Sequence, residues 1–266
     1  MPIFAPFGYI KNPDIEPTPP WAPSDFTNVQ YWWRADLDAT TTGTGVSAWE
    51  DQINGFTMVQ GTDANRPSNT TSSDLNNQAV IRTNGTSDFL YTSTTPASRT
   101  GDFTMLMVYD LASTTPGQGA IFGVQRIAGG SVDGRVWLDG VSNNQRNLSE
   151  GFGSATPVGT NVESPITAGA HAFKYRYDSS AGDDFYALDT LTETTKGTAG
   201  NTGQDWVTSS SIGIGALLNS TAGTVFGGRY ISMDFAEAVM VYGSPSLAEM
   251  DDWKTYVNNR YGTIIS

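Results

Sequence analysis

The feature that most constrains the fold is the regular alternation, after residue 25, of short apolar segments with turn-forming residues. Clusters of Gly, Asn, Asp and Ser separate segments rich in β-branched and aromatic side chains. Only 15% of the residues are charged, which is too few for several long amphipathic helices. The pattern predicts an all-β domain, and 266 residues fit one large β-sandwich with a short extension.

The predicted strands differ in how many of their faces are apolar. In one of them Phe173, Tyr175 and Tyr177 alternate with Lys174 and Arg176, which indicates one buried and one solvated face. The last strand is apolar on both faces and is therefore predicted to be central. We predict strands at residues 31–35, 79–83, 103–110, 120–125, 135–139, 171–177, 185–188, 211–217 and 230–242.

Glu237 is a carboxylate within the apolar last strand. Strict alternation would place it on the face of Phe235 and Val239, with Asp234 on the opposite face. A buried carboxylate persists only when hydrogen-bond donors satisfy it. We expect Glu237 to accept hydrogen bonds from an Arg, a Trp indole or a backbone amide.

One helix is predicted, at residues 246–261. Ser246 and Glu249 form an S-x-x-E capping box, and Gly262 is a stop signal. The apolar side chains between them, at helical spacing, are expected to pack on the sandwich. They are Leu247, Met250, Trp253, Tyr256, Val257 and Tyr261.

Residues 1–25 are predicted to form an extended arm outside the sandwich domain of residues 26–266. Prolines at positions 2, 6, 13, 17, 19, 20 and 23 fix φ and remove backbone donors. The arm carries more apolar bulk than a solvated linker normally does. We expect it to dock on a neighbouring subunit or on its own domain through Phe4, Phe7, Tyr9, Ile10 and Trp21.

Charge and composition argue against several classes of partner. The net charge of −13 disfavours nucleic acid, because phosphate binding needs clustered Lys and Arg. The sequence has no cysteine, so neither disulfides nor thiolate metal sites contribute. No apolar run is long enough to cross a membrane, and the first residues lack the basic region of a signal peptide.

Several segments, in order, resemble concanavalin A-like, LamG-type jelly-roll modules of bacterial surface and phage virion proteins. They are YWWRAD at residues 31–36, VSAWED at 46–51, residues 79–90, residues 103–109, and AEAVMVY at 236–242 with the helix that follows. The resemblance covers about residues 29–264 and leaves out the proline-rich arm. It implies a sandwich of two antiparallel sheets, a fold that serves lectins, glycanases and structural proteins.

The carboxylates and the histidine do not form a recognisable catalytic motif. Jelly-roll glucanases present paired carboxylates as E-x-D-x-x-E or E-x-D-x-E, and Asp234 and Glu237 are the nearest equivalent here. His171 is the only histidine, without partners for a histidine metal centre or a nucleophile elbow. The sequence therefore indicates a protein that is not an enzyme.

Glycan and calcium binding stay open. Most tryptophans are expected in the core, whereas Trp137 and Trp206, beside Gly- and Asp-rich turns, are candidates for stacking on sugar rings. No cofactor is expected, although calcium at the sandwich rim is an open alternative because hard oxygen ligands occur there. These candidate ligands are Asp36, Asp38, Asp51, Asn54, Asp88, Asp183 and Asp184. Acidic and amide side chains at such positions more often stabilise turns or cap helices than bind calcium.

Two functions remain. The first is a structural protein of a phage virion, assembled in the host cytoplasm and displayed on the particle as an oligomer. It would be a capsid decoration, head-fibre or tail-mounted protein whose arm binds the major capsid protein or another virion subunit. The alternative is a carbohydrate-binding or adhesion module that recognises glycans of the host surface.

Overall fold

The computed structural model describes residues 20–99, 101–125, 127–128, 131–132, 135–141, 145–151, 158–198, 210–219, 221 and 223–266. Between residues 127 and 160, and at 197–198, the description covers the backbone only. Two large antiparallel sheets and one helix account for most of this structure. The predicted all-β sandwich with a C-terminal helix is therefore confirmed.

The first sheet has eight strands, and its central strand is β21 (Ser232–Val241). Along one edge of β21, its first half pairs with β6 (Gln78–Asn84) and its second half with β1 (Val29–Arg34). Beyond β6 lies β5 (Ser68–Ser72). On the other side of β21 follow β8 (Phe103–Leu111), β15 (Gly169–Asp178), β16 (Asp183–Leu188) and β17 (Thr194–Thr198).

The second sheet has nine strands and lies against the first. In spatial order these are β14 (Val158–Glu163), β13 (Gln145–Gly151), β12 (Arg135–Val141), β9 (Ala120–Gln125), β18 (Ser211–Ile214), β7 (Leu90–Thr92), β4 (Thr57–Val59), β3 (Gly45–Glu50) and β2 (Ala39–Thr42). Two short ribbons complete the strands, β10 (Ile127–Ala128) with β11 (Ser131–Val132), and β19 (Ala216–Leu218) with β20 (Val225–Tyr230).

Aromatic side chains fill the space between the two sheets. Phe235 of the first sheet lies 5.6 Å from Phe122 and 6.2 Å from Trp49 of the second, measured between ring centroids. Trp33 packs edge-on against Phe122. All four are fully buried, and Trp33 and Trp49 are thus among the tryptophans that lie in the core, as expected of most of them.

Helix α1 (Leu247–Tyr261) covers the outer face of the first sheet. The Ser246 hydroxyl accepts from the Glu249 amide, and the Glu249 carboxylate accepts from the Ser246 amide, which confirms the capping box. Gly262 ends the helix at φ +91°, a conformation that glycine adopts without strain. The helix buries Met250, Trp253, Val257 and Tyr261 against apolar side chains of the sheet that include Leu106 and Val239.

A bulge in β21 changes which side chains face the core. The register against β8 shifts between Phe235 and Glu237, so Phe235 and Ala238 both point inward. Val239, and with it Glu237, faces the helix. Strict alternation was therefore wrong here, because a bulge adds one residue and reverses the parity beyond it.

The predicted strand boundaries need two further corrections. Residues 211–217 form two strands separated by Gly215, whose φ is +84°. Residues 230–242 also divide, since β20 ends at Tyr230 and β21 begins at Ser232. The strands absent from the prediction include the short polar β2, β5 and β17, which lack a continuous apolar pattern.

Candidate functional site

A groove of about 560 Å³ runs along the exposed side of α1, a volume in the range of ligand sites. We call it the helix groove. The start of the described chain and the β5–β6 turn form its other walls. The helix contributes positions three and four residues apart, which lie on one face. Its lining residues are Pro20, Trp21, Asn76, Gln78, Asp252, Thr255, Tyr256, Asn259 and Arg260.

The aromatic part of the groove consists of Trp21 and Tyr256. The Trp21 ring is half-buried and meets Phe26 edge-on at 5.0 Å and Tyr256 at 5.9 Å between centroids. Tyr256 in turn stacks on the buried Trp253 at 5.8 Å with 27° between the ring planes. These contacts fix the aromatic surface before any ligand binds.

A buried carboxylate holds Tyr256 from beneath. The Tyr256 hydroxyl lies 3.0 Å from each Glu237 oxygen and donates to that carboxylate. Trp32, through its indole N–H, and Tyr261, through its hydroxyl, also donate to Glu237, which is fully buried. Burial raises the pKa of Glu237 to about 7, although these donors favour the ionised form. The expected role of Glu237 as a buried acceptor is confirmed.

The cation of the groove is already paired. Arg260 donates through Nη2 to Asp36 at 2.8 Å, and Arg34 donates through Nε to the same carboxylate at 2.7 Å. Arg34 also lies 3.4 Å from the Tyr256 hydroxyl and donates to it. Burial alone would raise the pKa of Asp36, but the two guanidinium groups lower it. The network therefore ties the helix to the end of β1.

Most of the polar side chains of the groove have unused hydrogen-bonding capacity. Within the part of the chain that the structure describes, the side chains of Gln78, Asp252, Thr255 and Asn259 form no hydrogen bond. Asn76 donates through Nδ2 to the Arg260 carbonyl at 3.1 Å, which leaves its side-chain oxygen free to accept. These groups offer both donors and acceptors next to an aromatic surface.

Of the site residues predicted from sequence, the structure places only Trp21 in the groove. The predicted residues Phe4, Phe7, Tyr9, Ile10 and Trp206 lie outside the described residues. Trp137 is in β12, where the backbone alone is described. The proposed arm and glycan contacts of these residues therefore stay predictions.

The carboxylates nearest to a catalytic pair are already engaged in ion pairs or hydrogen bonds. Because of the bulge, Asp234 and Glu237 share the outer face of the sheet, contrary to expectation. Arg82 donates to both oxygens of Asp234, at 2.6 and 2.7 Å. Both oxygens that could act as a nucleophile are therefore already hydrogen-bonded. Asp110 stands opposite Asp234 and accepts from Ser72 at 2.8 Å. Burial raises the pKa of Asp110.

The histidine and the candidate calcium ligand Asp51 also have protein partners. His171 is buried and lies 2.8 Å from Asp189 through Nδ1. Asp51 accepts from the backbone amides of Ile53 and Asn54, which is a turn-forming role. Among the described residues, no group of three or more His, Asp or Glu side chains is placed to hold a metal ion. Calcium binding stays an untested alternative.

Comparison with solved structures shows similarity in fold. A Trypanosoma rangeli sialidase in complex with sialic acid matches with a TM-score of 0.55 at 12% identity, covering 87% of this chain and 33% of the sialidase. An arabinofuranosidase complexed with arabinofuranosyl-alpha-1,2-xylobiose matches with a TM-score of 0.52 at 15% identity, covering 90% of this chain and 60% of the enzyme. This chain thus spans about one third of the first protein and 60% of the second.

The sequence comparisons are negative. No protein-family model matches the chain, and no curated protein matches it. No helix among the described residues has the length and apolar character of a membrane span. At such low identity the structural matches establish the fold alone. The protein is a sandwich of two antiparallel β-sheets with a single helix on the outer face of the eight-stranded sheet, as far as the structure describes it.

Proposed function

We propose that this protein is a carbohydrate-binding or adhesion module and that the helix groove is its glycan site. The observation that carries the proposal is the pairing of a fixed aromatic surface with unbonded polar side chains. Trp21 and Tyr256 supply the surface, and Gln78, Thr255 and Asn259 lie around it.

The chemistry of a sugar explains why this combination supports binding. A pyranose ring has apolar C–H faces, which pack on aromatic rings, and a rim of hydroxyl groups. Each hydroxyl both donates and accepts, as do the amides of Gln78 and Asn259 and the hydroxyl of Thr255. Because ring contacts already hold Trp21, binding would order few additional side chains.

The likeness to glycan-active proteins is further, weaker support. The two solved structures reported above are a sialidase with sialic acid and an arabinofuranosidase with an arabinofuranosyl xylobiose. Both share the sandwich fold with this chain, and folds of this kind serve many functions. The likeness is compatible with sugar binding, and the groove supplies the argument for it.

We propose binding without cleavage. A retaining glycosidase needs two carboxyl groups about 5 to 5.5 Å apart, and an inverting one needs two at a wider spacing. Asp252 is the carboxylate among the lining residues of the groove. Glu237 lies beneath the groove, fully buried, and its donors are side chains of the protein. No cofactor is part of the proposal.

Removal of the aromatic surface tests the proposal. A glycan array probed with the full-length protein would identify a ligand, and titration calorimetry would measure its affinity for each variant. We expect Trp21→Ala to weaken binding at least about fivefold, since stacking on one aromatic ring contributes on the order of 1 kcal/mol or more. Phe226→Ala is the matched control, because Phe226 is a half-buried aromatic outside the groove. Equal affinities of Trp21→Ala and wild type would exclude the groove.

Display on a phage virion is a second proposal, and its basis is the apolar, proline-rich arm. Trp21 is half-buried against its own domain, so the anchor would lie upstream, at Phe4, Phe7, Tyr9 and Ile10. Deletion of residues 1–19 keeps Trp21 in place and tests this directly. We expect the full chain, but not the truncated one, to co-sediment with capsids that lack the protein. Failure of the full chain to co-sediment would contradict a capsid role.

A further inference from the structure

We infer that the helix groove selects neutral glycans over acidic ones and that Asp252 is the residue that enforces this selection. The inference rests on the proposed function, since it names the class of glycan that the same groove takes. Three properties of the lining carry it: a free carboxylate, an engaged cation, and a surplus of uncharged groups that both donate and accept.

Asp252 is an exposed carboxylate in the second turn of α1. In the part of the chain that the structure describes, its side chain has no hydrogen-bond or ion-pair partner. An ionised carboxylate only accepts hydrogen bonds, so the ligand group beside it must donate. Sugar hydroxyls donate, whereas the carboxylates of uronic and sialic acids and the sulfates of sulfated sugars only accept.

Arg260 does not offer a compensating charge. Its Nη2 donates to Asp36 at 2.8 Å, and its Nε, although it has no hydrogen-bond partner in the described structure, is buried where a ligand in the groove does not reach it. An acidic sugar would therefore compete with Asp36, which Arg260 shares with Arg34, for the Arg260 guanidinium group. The other lining residues are uncharged at neutral pH. An acidic glycan would therefore meet Asp252 without a free cation nearby.

The charge of the whole chain acts in the same direction. The net charge of −13 repels polyanions at long range, and the repulsion weakens as salt screens it. Neutral glycans are unaffected by this field.

The test is a glycan array with matched neutral and acidic forms of the same backbones, with and without sialic acid, uronic acid or sulfate. We expect wild type to bind neutral forms and to bind their acidic counterparts at least about tenfold more weakly. Asp252→Asn keeps the shape of the side chain and removes the charge. It should bring the acidic forms within about threefold of the neutral ones, while the neutral forms change by less than about threefold.

Asp251→Asn is the matched control, because Asp251 is an exposed neighbour on α1 outside the groove lining and carries the same charge. We expect it to leave the preference intact. Wild type that binds acidic forms as well as neutral ones, or equal effects of the two substitutions, would overturn the inference while leaving glycan binding in place. A chain that binds no glycan of either class would overturn the proposed function as well.

Discussion

The two faces of the eight-stranded sheet are built on different principles. Around Phe235 the inner face is packed with rings and aliphatic side chains such as Trp33 and Met107, against the second sheet. Its buried carboxylate, Asp184, lies on the outlying strand β16 and accepts from a core tyrosine. The outer face meets the helix across apolar contacts too, but it also encloses the Glu237 carboxylate with its Trp and Tyr donors. The inner face provides stability, and the outer face positions the wall of a groove.

The comparison explains why a costly buried carboxylate lies under the helix. An apolar residue at position 237 would fill the space, but it could not orient the Tyr256 hydroxyl. In our account burial of the Glu237 carboxylate lowers the stability of the folded protein, and its hydrogen bonds in return fix the groove surface. The part of the inner face around Phe235 positions no groove residue and is held by close packing.

The largest effect is expected on the inner face. Phe235→Ala removes a fully buried ring that contacts Phe122 and Trp49, and it should lower the free energy of unfolding by about 3 to 5 kcal/mol. Urea denaturation measures this change. Leu247→Ala is the control, since Leu247 is 87% exposed and its loss should cost under about 0.5 kcal/mol. Similar losses for both variants would contradict the proposed packing.

The second effect is a pH dependence that originates on the outer face. The pKa of Glu237 rises from its ordinary 4.5 to about 7 on burial, so the folded state binds this proton more tightly. The free energy of unfolding should therefore fall by about 3 kcal/mol as the pH rises from about 4.5 to about 7, and level off above that.

Glu237→Gln isolates this contribution. The other titrating groups affect the variant and wild type alike, so their contributions cancel when the two plots of unfolding free energy against pH are compared. Urea denaturation between about pH 5 and about pH 8 should show that the free energy of unfolding depends less on pH in the variant than in wild type. Identical slopes would mean that Glu237 stays ionised in the folded state throughout this range.

A smaller effect is expected at the start of the helix. Glu249 accepts from the amides of Thr27 and Ser246, and Glu249→Ala should cost about 1 kcal/mol. Burial alone would raise the pKa of Glu249, but these hydrogen bonds lower it to about 2. Its contribution should be complete above about pH 4.5 and should disappear as the pH falls toward 2. Denaturation at pH 7 and at pH 2 would show the difference, and an equal cost at both would refute it.

The smallest effect on stability is expected in the groove itself. Asn259 is exposed and makes no side-chain hydrogen bond within the described structure, so Asn259→Ala should change the free energy of unfolding by under about 0.5 kcal/mol. The same variant should weaken glycan binding several-fold, because it removes a donor and an acceptor. A variant that binds as tightly as wild type would remove Asn259 from the site.

The sequence predicted the inner face better than the outer one. Alternating apolar residues identified the main strands, and the capping box located the helix, because both signals are local. The bulge at Glu237 was missed because the alternation itself does not record an inserted residue. The burial of Glu237 was nevertheless predictable, since an acidic residue in an apolar strand requires donors.

The groove could not be predicted from local patterns. Its walls come from Trp21, from Gln78 in the β5–β6 region, and from Asp252 and Asn259 on the helix, so three distant parts of the sequence meet there. Such residues are ordinary surface residues until the fold brings them together. The available signals were Trp21, predicted as a binding residue of the arm, and the polar stripe of α1 at positions 252, 255, 259 and 260.

The most direct test of the account is an NMR titration of the full chain with a neutral oligosaccharide selected on the array, following the indole N–H signals of the seven tryptophans. Assignment by single replacements would identify Trp21, Trp137 and Trp206. We expect the Trp21 signal to shift on binding, together with the side-chain amides of Gln78 and Asn259. Shifts confined to Trp137 or Trp206, with Trp21 unchanged, would place the glycan elsewhere and contradict the helix groove as the site.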